Sequence, residues 1–110
     1  MATTYKLLGK ASANGAIGTY STLYTAGGAV VISALKAVNK DAAVQTIRIA
    51  VGATTTTPAA TEWDVYGYAI APGDTLTLVE GLCVDATNKY VMISASDADV
   101  NFKLYGAEIS

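Results

Sequence analysis

The sequence predicts an all-β protein: a single β-sandwich, jelly-roll or immunoglobulin-like, of about eight antiparallel strands and no helix. Three observations predict it. Short runs of alternating or branched apolar residues recur along the whole chain. Turn residues separate them at a spacing of roughly 8–12 residues, the rhythm of sandwiches and jelly rolls. No strand is followed by the helical segment that a parallel sheet needs. The length of 110 residues fits one domain, 1–110. A chain of this size buries roughly two thirds of its unfolded surface, enough for a core without disulfides or metals.

Each element follows from local chemistry. Residues 5–9 form an apolar opening strand, and 11–18 a loop in which Asn14-Gly15 favours positive φ. Residues 19–25, rich in Thr and Tyr, read as a strand that Gly27-Gly28 breaks. In 29–39 the branched Val30, Val31 and Ile32 favour strand over helix. Asn39-Lys40-Asp41 turns the chain into 44–51, where Ile47, Ile49 and Val51 face one way and Thr46, Arg48 and Ala50 the other. These two segments are expected to form a hairpin of long central strands. The stretch 30–38 has few charges or prolines to guard an edge, so neighbouring subunits are expected to cover it.

Residues 54–62, with Pro58 and no large apolar group, are expected to be an exposed loop. An aromatic strand follows at 63–71. Ala71-Pro72-Gly73-Asp74 suits a type II turn, in which Pro fixes the first φ and Gly permits the positive second one. The strand 74–80 alternates Leu with Thr. The remaining strands are 82–85, 90–95 and 100–105, joined by turns at 85–88 and 96–99. In the last strand Val100, Phe102 and Leu104 point inward, with Asn101, Lys103 and Tyr105 outward.

Composition removes several function classes. There is no His, hence neither the usual general base nor the commonest metal ligand. Cys83 is the only cysteine, so no intrachain disulfide can form; in its apolar setting it reads as a small buried hydrophobe. Asp97 and Asp99 read as a solvated turn rather than a calcium site, and Glu62 and Asp64 have nothing to set them as a glycosidase pair. No enzyme, cofactor or metal is expected. Net charge is −2, and the seven Lys and Arg residues are scattered singly along the sequence. That predicts no nucleic-acid partner. No basic amphipathic helix or long apolar run predicts a membrane partner. The opening residues lack the basic start and apolar core of a signal peptide, so synthesis and first folding in a reducing cytoplasm are expected.

Seven tyrosines outnumber Trp63 and Phe102. Tyrosine suits sheet edges and subunit interfaces, where the ring is buried and the hydroxyl stays wet. The candidate interface residues are therefore Tyr5, Tyr20, Tyr24, Trp63, Tyr66 and Tyr105, with the 19–25 face and the terminal segments contacting other subunits. A sugar-stacking platform is the competing use of the same rings.

Four blocks carry a family resemblance: Tyr-Lys-Leu-Leu-Gly-Lys at 5–10, Thr-Leu-Tyr-Thr at 22–25, Val-Gln-Thr-Ile-Arg-Ile-Ala-Val at 44–51, and Val-Asn-Phe-Lys-Leu-Tyr-Gly-Ala-Glu-Ile at 100–109. In this order they resemble small β-sandwich virion proteins of tailed bacteriophages, especially cyanophage-like ones. One departure is the shortened Ala26-Gly27-Gly28, where a Val-Pro-Ala-Gly-like turn is expected. The resemblance implies a non-enzymatic virion component, with capsid decoration (cement) as the leading role. Its implied partners are itself, as a homo-oligomer with a trimer favoured, and the major capsid protein. A tail, neck or baseplate protein and a carbohydrate- or receptor-binding module are the alternatives.

Overall fold

A computed structural model describes residues 3–13, 15–53, 58, 62–78, 82–85 and 87–109, with the side chains of 3–5, 82, 83 and 109 outside the description. The described residues are all-β. They form β1 (Thr3–Ser12), β2 (Ser21–Thr25), β3 (Val30–Asn39), β4 (Gln45–Gly52), β5 (Trp63–Ile70), β6 (Thr75–Leu78), β7 (Leu82–Val84), β8 (Tyr90–Ala95) and β9 (Val100–Ile109).

One sheet, sheet A, has the order β1-β9-β3-β6, with β7 also pairing β3; the other, sheet B, runs β2-β8-β4-β5. Because β6 and β7 occupy successive stretches of the same β3 edge, sheet A is four positions wide, and the described residues form nine strands in all. All the pairings are antiparallel. Among the described strands only β4 and β5 are sequence neighbours that pair. Most other connections carry the chain from one sheet to the other, and this order is that of a jelly roll rather than an immunoglobulin sandwich.

The interior is the alternation read from the sequence. Leu35, Ala37, Ile47, Ile49, Val91, Ile93, Val100, Phe102 and Leu104 have no exposed surface. Inward residues of both sheets interdigitate into one cluster, the ordinary core of a two-sheet domain.

Three expectations are corrected. The segments 29–39 and 44–51 are both central strands but form no hairpin: β3 lies in sheet A and β4 in sheet B. The reason is Asn39. Its buried Nδ2 donates to Ala43 O and Ile70 O, both at 2.9 Å, and its Oδ1 accepts Asp41 N–H. These bonds bend the chain across the sandwich edge instead of back alongside β3. The edge of β3 likewise needs no neighbouring subunit, since β9 pairs on one side and β6 and β7 on the other. Pro58, placed in an exposed loop, is buried; residues 54–57 and 59–61 of that loop lie outside the description.

The turn at 71–74 forms as expected. Asp74 N–H donates to Ala71 O at 3.0 Å and Gly73 takes φ 76°, a conformation that needs no Cβ. Cys83 enters only as backbone, paired with Val31; its side chain lies outside the description.

Candidate functional site

Strand β5 is, with β2, one of the two edge strands of sheet B among the described residues. It pairs with β4 irregularly: register slips between Ile47 and Arg48, and again between Ile49 and Ala50, leave Gly67 and Asp64 as extra residues. Gly67 takes φ 82°, the left-handed geometry of a bulge glycine. The bulges set Tyr66 opposite Arg48 and Trp63 opposite Ala50. Two aromatic rings thereby land on the same outward face as the arginine.

The segment leading into β2 adds a third ring. Tyr20 lies 5.4 Å from Trp63 between ring centres, and Trp63 meets Tyr66 edge to face at 4.8 Å. The Arg48 guanidinium stacks over Tyr66 at 4.2 Å from the ring centre, with Trp63 at 5.9 Å. Its Nη1 donates to the Tyr20 hydroxyl at 3.0 Å. Its Nε is buried with no hydrogen-bond partner among the described residues. Stacking on aromatic faces, which Arg does better than Lys, therefore holds this cation in place. Tyr66 is 63% exposed, whereas Tyr68 stands in register with the inward Ile47 and so belongs to the opposite face of β5. The patch has a half-buried floor of Arg48, Trp63 and Tyr20 and one exposed ring, Tyr66.

Of the six candidate residues, Tyr20, Trp63 and Tyr66 come together here. Arg48 is the member that sequence reading placed only as an outward strand residue; its position opposite the aromatic β5 supplies the missing signal. The other three lie elsewhere. Tyr24 donates its hydroxyl to Glu108, which also pairs with Lys6 at 2.8 Å. Burial, then the bond to Glu108 and its charge, push the Tyr24 phenol up to about 12. Lys6, then Tyr24, hold Glu108 below the usual carboxylate range. Tyr105 sits on the outer face of sheet A, in register with Leu7 and Ala34. Tyr5 pairs with Ala107 through its backbone, its side chain lying outside the description.

Carboxylates gather at one end of the sandwich. Atoms of Asp41, Asp97 and Asp99 all lie within 4.8 Å of one another. Asp97 and Asp99 were legible as a turn; Asp41 joins them through the β3–β4 crossover. These oxygens already serve the backbone and Gln45: Asp97 accepts Asp99 N–H, and Asp41 accepts Ala43 N–H and the Gln45 side chain. The Gln45 and Ala43 bonds hold Asp41 below its ordinary range. Glu62, weighed with Asp64 as an acid pair, accepts Ala53 N–H at 3.0 Å.

The chain matches no protein-family model, and no curated protein is significantly similar to it.

Proposed function

We propose that the chain is a non-enzymatic structural protein of a tailed-phage particle, a capsid decoration protein that binds the outer head surface as an oligomer. The observation that carries this reading is the Tyr20–Arg48–Trp63–Tyr66 patch. Tyr, Trp and Arg on a rigid sheet edge are the composition of interface hot spots. The resemblance of the four sequence blocks to small virion proteins supports the particle assignment. A jelly roll, the architecture of many viral shell domains, is compatible with it, although a fold alone assigns no role. In this reading the patch is the contact between copies, a trimer, and several weak contacts per oligomer replace one strong one.

The test is the mass of the purified protein by light scattering, followed by imaging after incubation with the phage's bare capsids. A trimer at regularly spaced sites on the head, with Tyr66→Ser giving monomers, is the expected result. A ring-like assembly that leaves heads bare moves the protein to the tail, neck or baseplate.

The exposed ring of Tyr66 favours one second reading, a carbohydrate- or receptor-binding module in which that ring stacks on a sugar. Binding on a glycan array, abolished by Tyr66→Ser, would establish it over the first.

A further inference from the structure

Lysines that stand far apart in sequence become neighbours in sheet A. Lys10 pairs with Lys103, and Lys103 pairs with Lys36 on its other side. All three side chains are exposed. With strands about 4.8 Å apart, three ammonium groups share a row roughly 10 Å long. Like charges directly opposite one another destabilise a sheet. No carboxylate among the described residues forms an ion pair with any of the three, the described ion pair being Lys6–Glu108 at the far end of β9.

The rows on either side contain no acid. One has Ser12, Asn101, Val38 and Thr75, and Ser12 donates its hydroxyl to Asn101 at 2.8 Å. The other has Leu7, Tyr105 and Ala34, with Leu7 43% exposed. A shallow cleft of about 210 Å³ runs beside the row at Lys10, Ser12, Asn101 and Lys103. The row concentrates positive charge on a protein whose net charge is −2.

We propose that the outer face of sheet A docks onto a carboxylate-rich protein surface, the three lysines pairing with its acids and Leu7, Val31 and Tyr105 packing beside them. The deduction deepens the structural-protein reading above and rests on it for the setting, a protein shell. Charge complementarity names the sign of the partner. The adjoining apolar rows favour protein over nucleic acid, because Leu7 and Val31 offer nothing to a phosphate backbone but do offer area to an interface. The face is also a different surface from the aromatic edge of β5, so self-association and docking can coexist.

The test uses the full chain and three probes: polyglutamate, a glutamate–tyrosine copolymer and duplex DNA. Binding to the copolymer, tighter than to polyglutamate and weakening as salt rises, is the expected result. Lys10→Thr, Lys36→Thr and Lys103→Thr combined should weaken it about tenfold or more, and Leu7→Ser should remove the copolymer's advantage. Thermal melting separates docking from structure: the triple variant melts no lower than the parent. Absence of acidic-polymer binding, or equal binding by the triple variant, overturns the proposal and leaves the lysines as a solubilising row. Tighter binding to DNA than to either polymer, lost in the triple variant, overturns the choice of a protein partner. None of these results depends on capsid binding, so a protein that ignores heads yet binds the copolymer breaks only the particle assignment.

Discussion

On sheet B the outward-pointing Ala50, Met92 and Ser94 are 1%, 2% and 0% exposed, whereas on sheet A the equally outward Leu7 and Val31 are 43% and 38% exposed. Both faces obey the same strand alternation. The difference lies in what crosses them. Over sheet B, the segment between β1 and β2 lies against β8, where Ser94 donates its hydroxyl to Ile17 O at 2.7 Å. Tyr20 and Trp63 extend the cover above Arg48. Over the central rows of sheet A no described segment lies, and three lysines stand there instead. Alternation thus decides which residues share a face, and the connections decide whether that face is core or surface.

Substitutions that break this contrast fall in order of size. The largest effect belongs to the residue that joins the two sheets. Asn39→Ala removes one buried and two part-buried bonds and orphans their partners, for a loss of about 3 kcal/mol in urea unfolding. Trp63→Ala strips the lid of sheet B and should cost about 2 kcal/mol, below the usual range for Trp because the ring is only half-buried. Ser94→Ala leaves Ile17 O without its donor and should cost about 1 kcal/mol in the same assay.

The pH dependence comes from the end of β9. Glu108 is held below the ordinary carboxylate range, so its contribution is present above the unfolded pKa and is lost as pH falls through the lower folded value. Acid melts of Glu108→Gln should show a shallower decline than the parent. Tyr24 has the opposite sign: its contribution is complete below the ordinary phenol pKa and is lost as pH rises towards about 12. Tyr24→Phe should remove a phenol that titrates at about 12 from the ultraviolet titration.

The smallest effect is a gain. Lys103→Thr takes the central charge out of the row and should raise stability by about 0.3 kcal/mol. A loss of more than 1 kcal/mol there, or no loss at Trp63 and Ser94, would erase the distinction between the open and the covered face.

Much of the fold was legible. The strand 90–95 coincides with β8, and 29–39 and 63–71 differ from β3 and β5 by single residues at their ends. Branched residues, Gly-Gly, Pro72-Gly73 and the Asp-led turns act on their own neighbours, so local chemistry is enough to place them. Asp85, for instance, accepts Thr87 and Asn88 N–H in the turn expected at 85–88. Three residues of the aromatic patch, Tyr20, Trp63 and Tyr66, were legible one by one as aromatic residues, but not that they meet.

Pairing was not legible. Asn39-Lys40-Asp41 reads like a hairpin turn, yet the Asn39 side chain reaches Ile70, a residue on a strand not yet made when that turn is read. The position of Pro58 escaped for a related reason, since a loop's own composition does not say what it folds against.

By itself, then, the sequence determined an all-β sandwich, its turns, its inward and outward residues and the absence of histidine chemistry, because each of these depends on near neighbours or on composition. Only the tertiary structure decided the jelly-roll order, the gathering of Tyr20, Arg48, Trp63 and Tyr66, and the alignment of Lys10, Lys103 and Lys36. The physical reason is that backbone hydrogen bonds between strands are indifferent to sequence separation, so burial of the two inner faces together selects the register that brings distant side chains into one row.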